Sequence, residues 1–240
     1  MNILVIGGTR FFGIPMVNEL LAHGHNVTIA TRGTTPDSYG DSVKRIIIQR
    51  TQEESMKNAL QGKHFDVVID KIAYCSNDIK YVMDYVDCDR YIQMSSTSVY
   101  EPKHWNTLEK DFDGYSTELV WCDRKAFPYE EIKRQAEYAL WQKYEAGKFL
   151  AFLAEAEQDV TGAFNGSAHG TISIRQILNY VEQKIGAKAV INSGDGEEAP
   201  YNGEPEYSIN TEKAESLGFR FSTLQDWIYD LLDYYIDQIG

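Results

Sequence analysis

The sequence predicts an α/β fold: a doubly wound parallel sheet with a small C-terminal α/β lobe. Three observations carry this. The first half of the chain alternates short apolar runs with amphipathic helical stretches, a βαβαβ rhythm. Its apolar runs are nearly continuous, as in strands covered on both faces. A glycine-bearing turn, GGTRFFG, joins the first such run to the first helical stretch.

Taken in order, Asn2–Ile6 reads as a buried parallel strand, and residues 12–23 carry apolar side chains at helical spacing. Gly24, His25 and Asn26 close that helix. Residues 27–31 form the next strand, followed by the breaker stretch GTTPDSYG. Further strands are expected at 43–48, 66–69 and 91–94, with helices at 52–62 and 76–86 between them. A long helix is expected over 128–144, with proline in its first turn. Beyond it the chain reads as helix over 145–158, strand over 162–165, amphipathic helix over 173–186 and strand over 190–193. An acidic loop, GDGEEAPYNGEPE, then leads to a short helix at 211–217 and an aromatic one at 223–238. The expected organisation is a dinucleotide-binding domain over 1–144 and a substrate-side lobe over 145–240.

Composition narrows the function classes. At 240 residues, with 43% hydrophobic and 25% charged, the chain can bury a substantial core and is no disordered tail. A net charge of −13 opposes binding to nucleic acid, whose phosphates need clustered Lys and Arg. Cys75, Cys88 and Cys122 form no CxxC pair, which suits small apolar filler in a reducing, cytoplasmic setting. The histidines show no metal-ligand spacing, so no metal is expected. MNILVIGG is too short and uncharged for a signal peptide, and no apolar run reaches membrane-spanning length.

The strand–GGTRFFG–helix junction is the strongest local signal and makes the first domain Rossmann-type. Gly7 lets the chain turn off the strand, and Gly13 lets the helix pack closely. The helix mouth then offers N–H groups and a positive dipole end to the pyrophosphate of a dinucleotide. Where a middle glycine is common, this chain has Arg10. Arg32 ends the second strand, with no carboxylate at Thr31, Arg32 or Gly33 to grip a ribose 2′-hydroxyl. Two guanidinium groups suit a 2′-phosphate, so NADP is favoured over NAD.

The strand YIQM leads into SSTSVY, and Tyr129 and Lys133 follow four apart at a helix start. That spacing puts both on one helical face. An ammonium there stabilises a phenolate, letting the tyrosine exchange a proton. A hydroxyl from the strand end can hold the substrate oxygen concerned.

The stretches VIGGTRFFG, DVVIDKIA, YIQMSSTSVY, PYEEIKRQAE, FNGSAHGTISIRQI and INTEKAESLGF together resemble the extended short-chain dehydrogenase/reductase superfamily, NAD-dependent epimerase/dehydratase group. The resemblance implies Tyr129 as catalytic acid/base and Lys133 as the ribose-binding residue that tunes it, with Ser96 in the hydroxyl position. It implies a cofactor site of Gly7, Gly8, Thr9, Arg10, Phe11, Phe12, Gly13, Arg32, Ala73, Tyr129 and Lys133. Asp70 and Lys71 replace a usual His-Leu and read as structural. The GGTR loop is also similar to the chloroplast stem-loop-binding proteins, an atypical branch associated with RNA.

Two departures bear on the substrate. Between Tyr144 and Gly147 the chain lacks the sixth strand and its connections, so the substrate side is expected to be shortened. APYNGEPEYSIN stands where nucleotide-sugar enzymes of this group carry an arginine, and Gln49 stands where an aspartate contacts adenine. The terminal helix, with Trp227, Tyr229, Tyr234 and Tyr235, reads as core packing or equally as cover for a homodimer face. The resulting expectation is an NAD(P)-dependent oxidoreductase acting on a sugar-like small molecule through Ser96, Tyr129 and Lys133. Its rivals are a non-catalytic cofactor-sensing or RNA-associated module, and a degenerate family member.

Overall fold

A computed structural model describes residues 1–143, 162–190 and 207–237. The described residues divide into two units, Met1–Val99 with Asp113–Thr161 and Tyr100–Phe112 with Gly162–Gly240. The boundary expected at residue 144 falls outside the described residues.

In the first unit β1 (Asn2–Ile6), α1 (Gly13–Ala22), β2 (Asn26–Thr31), β3 (Val43–Ile47) and α2 (Glu53–Leu60) come first. Then follow β4 (His64–Asp70), α3 (Ser76–Tyr85), β5 (Asp87–Gln93) and α4 (Tyr129–Ala139). All four strand pairings are parallel, in the order β3-β2-β1-β4-β5. The order reverses at β1, and in such sheets ligands sit at the carboxyl ends of the strands beside that switch. The expected α/β architecture is therefore present.

Burial explains why the strands read as they do. The middle strands β1 and β2 are buried almost throughout, so every position wants an apolar side chain. Ile3 and Val5 point to one face with Val17, Val27 and Ile29, while Leu4 and Ile6 point to the other with Met56, Leu60 and Val82. The edge strand β5 carries exposed Asp87, Asp89 and Arg90, which blunt a free edge. That polar start hid its first four residues from a reading based on apolar runs. On α3 and α4, the small residues Ala136 and Ala139 lie against Ile79 and Met83.

One ion pair is buried in this core. Arg50, 4% exposed, bonds Asp70, which is fully buried and also accepts from Tyr91 Oη at 3.0 Å and the Ile72 amide at 3.1 Å. Burial works against the guanidinium's charge, but the carboxylates of Asp70 and Asp78 outweigh it and hold the Arg50 pKa above its ordinary value. Asp70 is structural, as read. Cys75 and Cys122 pack with Ile132 as apolar filler, and burial pushes the Cys75 thiol up to about 12.

The second unit contains α5 (Ile174–Ile185), α6 (Glu212–Ser216) and α7 (Ile228–Asp237). Ser173 and Gln176 form a capping box at the start of α5, and Gly186 ends it in the left-handed region at φ 69°. The strand expected at 162–165 does not form. Asn165 is instead taken up by side-chain bonding: its amide donates to Glu109 Oε1 at 2.8 Å, and its Oδ1 accepts from Tyr100 Oη at 2.8 Å. Ladder pairing among the unit's described residues is limited to the single bridges Thr107–Ile209 and His169–Thr223. On α7, Tyr229 meets Tyr180 at 4.6 Å, whereas Tyr234 and Tyr235, and Trp227 just ahead of the helix, are exposed rather than core. The expected helix at 145–158, residues 191–193 of the strand expected at 190–193 and the Tyr144–Gly147 junction lie outside the described residues, and Val190 is in no strand. No helix among the described residues is long and apolar enough to cross a membrane.

Arg50→Met should lower unfolding stability by about 3–5 kcal/mol, because it leaves Asp70 buried without its cation. Adding Asp70→Asn should recover part of that. Urea midpoints of the two variants decide it, and an unchanged midpoint in Arg50→Met would show the pair to be dispensable.

Candidate functional site

At the carboxyl end of β1 the Gly7 amide donates to Ala30 O at 2.9 Å, and the chain then turns through Gly7 and Gly8 at φ 102° and 101°. A Cβ built on Gly13 would lie 2.9 Å from Gly8 Cα, so α1 approaches the turn more closely than any side chain permits. Both glycine roles inferred from the sequence are met in this geometry.

The helix mouth needs a correction. The Gly13 and Ile14 amides are taken by Arg10 O and Phe11 O, each at 3.1 Å, and Pro15 has no N–H. Among the described residues no protein acceptor meets the Phe11 and Phe12 amides, so the donors left for an anion lie just ahead of the helix. The reason is the missing middle glycine. Arg10 avoids positive φ, and Phe11 takes the left-handed conformation instead, at φ 51°.

Arg10 Nη2 donates to Thr35 Oγ1 at 3.0 Å, which ties this loop to the segment after β2 where Arg32 stands exposed. Lys71, read as structural, also reaches the loop. Its ammonium lies 4.2 Å from the Phe12 ring centroid and 5.9 Å from that of Phe11. Partial burial lowers its pKa from the ordinary lysine value.

Across the carboxyl ends of β4 and β5, Lys133 is 2% exposed. Its Nζ donates to Ala73 O at 2.8 Å and Met94 O at 2.9 Å, leaving one N–H of the ammonium. Desolvation lowers the Lys133 pKa, and the carboxylates of Glu137, Asp70 and Asp78 pull it back. Glu137, partly buried one turn further along α4, accepts from Gln93 Nε2 at 3.3 Å. Burial raises its pKa, opposed by a hydrogen bond from Ser95 and by Lys133.

Tyr129 opens α4 after Pro128 and is 36% exposed. It borders an open cavity of about 300 Å³ with Tyr74, Arg124 and Ile132. The Tyr74 and Tyr129 rings meet edge-on at 6.2 Å, and the Lys133 ammonium lies 5.8 Å from the Tyr74 centroid. Ser96 is partly buried in its own turn, where its Oγ bonds Ser98 Oγ at 3.1 Å and the Ser98 amide at 3.2 Å. The cavity lining does not include Ser96. Ala73 is buried beside the site and presents its carbonyl to Lys133.

Lys71, Tyr74, Arg124 and Glu137 escaped the sequence reading as site residues. Tyr74 directly follows Ala73, and Glu137 repeats the Lys133 spacing on α4, so both carried a readable signal. Arg124 sits in a loop without periodicity and carried none.

Residues 3–86 match the model of the NAD dependent epimerase/dehydratase family. The chain is 30% identical over 113 residues to the chloroplast stem-loop binding protein of 41 kDa b from Arabidopsis thaliana, covering 41% of this chain and 30% of the relative. It is 26% identical over 103 residues to 2'-dehydrokanamycin reductase from Streptomyces kanamyceticus, covering 42% and 29%. The matched stretch thus spans less than a third of either curated relative. Among solved structures, dTDP-glucose 4,6-dehydratase from Bacillus anthracis in complex with NAD aligns at a TM-score of 0.63 and 14% identity, over 99% of this chain and 97% of that one. That last likeness is one of fold. The family resemblance carried by GGTRFFG and its companion motifs agrees with these findings.

Gly13→Ala should destabilise the chain by about 1–3 kcal/mol, since the new methyl meets backbone rather than a yielding side chain. Thermal unfolding measures this, and an unshifted transition would mean that α1 can retreat from the turn at no cost.

Proposed function

We propose that the chain binds NAD(P) and acts as an epimerase/dehydratase-like oxidoreductase on a sugar or nucleotide-sugar substrate. The observation that carries this reading is the buried Lys133 ammonium, held at the ends of β4 and β5 one helical turn after a Tyr129 that borders a cavity. The loop residues fit the cofactor. The Phe11 and Phe12 amides, which no protein acceptor meets among the described residues, would offer donors to a diphosphate. Gly7, Gly8, Thr9, Arg10, Phe11, Phe12 and Gly13 would hold the pyrophosphate, and Arg32 with Arg10 a 2′-phosphate, which favours NADP over NAD. Ala73 would lie against the nicotinamide side.

The nicotinamide, when bound, supplies hydride transfer to or from a carbinol carbon. Tyr129 exchanges the proton of the hydroxyl on that carbon, and Lys133 anchors α4 so that Tyr129 borders the cavity. The remaining N–H of Lys133 would serve the ribose of the cofactor. Ser96 holds the same substrate oxygen after leaving its bond to Ser98.

A second reading, an RNA-associated module without catalysis, is supported by the similarity to the stem-loop binding protein. The net charge of −13 weighs against it.

Tyr129→Phe should abolish turnover on any accepted substrate while changing cofactor affinity less than about threefold, a difference of under 1 kcal/mol. Full activity in that variant would remove Tyr129 from the mechanism. Calorimetric titration should show NADPH binding more tightly than NADH, and Arg32→Asp should cut NADPH affinity by about tenfold or more. A wild-type preference for NADH would overturn the assignment of Arg10 and Arg32.

A further inference from the structure

We propose that Arg124 is the specificity-determining residue of the Tyr129 cavity, and that the substrate carries a carboxylate that this guanidinium receives. The inference rests on the proposed reading of the site and narrows its substrate class.

Arg124 borders the cavity with Tyr74, Tyr129 and Ile132 and supplies the only cation of that lining among the described residues. It is held from behind. Its Nε donates to Asp78 Oδ2 at 3.0 Å and its Nη2 to Ile72 O at 2.9 Å. Its guanidinium carbon lies 4.7 Å from the Tyr74 centroid, and Asp78 Oδ2 in turn accepts from the Tyr74 amide at 2.8 Å. Asp78 is itself buried. A guanidinium has five N–H donors, and these two bonds use two of them. The side chain remains 29% exposed, and no other acceptor meets it among the described residues.

An arginine needed only to neutralise Asp78 would not need to border the cavity. Fixing one edge of the fork removes most of the ordering cost of binding an anion at the other. The charge count selects the anion. With its one positive charge already opposed by Asp78 and no second cation in the lining, Arg124 favours a singly charged group over a dianionic phosphate. A carboxylate matches both that charge and the planar two-point geometry. Arg124 thus holds an acidic group beside the oxygen that Tyr129 serves, and sorts substrates by that group.

The probes are UDP-glucuronic acid and UDP-glucose, identical except for a carboxylate in place of a hydroxymethyl group. Titrated into the full chain with NADP+ present, the acid should bind about tenfold or more tightly. Arg124→Lys keeps a cation for Asp78 but loses the fork, and it should reduce that preference several-fold, lowering affinity for the acid more than for UDP-glucose. A purely structural role for Arg124 would move both affinities together. Equal wild-type affinities, or a preference that survives in Arg124→Lys and Arg124→Gln, overturn the assignment while leaving the oxidoreductase reading intact. Binding of neither sugar, with NADP+ still bound, overturns the nucleotide-sugar reading and this inference with it.

Discussion

The arrangement of the first unit depends on how one buried ammonium is satisfied. The β4–β5 ladder ends at Asp70 and Gln93. Ala73 is buried there, and a buried carbonyl requires a donor. Lys133 bonds the carbonyls of both Ala73 and Met94, so it takes over where strand pairing stops and fixes α4 against both strand ends. A neutral side chain could not supply three donors from one atom. The register of Tyr129 over the cavity follows from this anchoring, since it lies one turn back on the same helix.

Burying that charge is costly unless it is balanced, and the surroundings supply the balance in alternation. Glu137 lies one turn beyond Lys133, Asp70 carries Arg50, and Asp78 carries Arg124. These groups come from β4, α3, α4 and the loops between, so the network joins elements far apart in the chain. The same network touches the cavity through Arg124 and the proposed cofactor side through the Lys133–Ala73 bond. Stability and the proposed chemistry therefore draw on one set of charges, and a change at a buried member is felt at both.

Much of this was legible in the sequence. Uninterrupted apolar runs gave away β1 and β2 because both faces of those strands are covered. The GGTRFFG junction revealed where the strand turns into a helix, since Gly7 and Gly13 are demanded by turn geometry and close packing. The detail of the helix mouth was not legible. Whether Arg10 or Phe11 takes the left-handed conformation is decided by local backbone geometry, and that choice moved the available amides upstream. The edge strand β5 was underestimated because charged residues at an exposed edge mimic a loop. The 162–165 segment was overestimated because Asn165 finds side-chain partners in Tyr100–Phe112, which no periodicity announces. Arg124 was invisible for a similar reason, its partners Ile72 and Asp78 lying some fifty positions earlier.

The composition of the second unit has a consequence for how the chain is made. Its strip Tyr100–Phe112 leaves the ribosome long before the residues it must meet, since the Asn106 amide bonds Ser208 Oγ across 102 positions. Contacts of such separation form late, after the loop entropy between them has been overcome. During synthesis the strip must therefore wait for those later residues, while the strands of the sheet around β1 have already been made. A chain arrested before Ser208 would keep that sheet intact yet present an unfinished second unit, and quality-control proteases would find their substrate there.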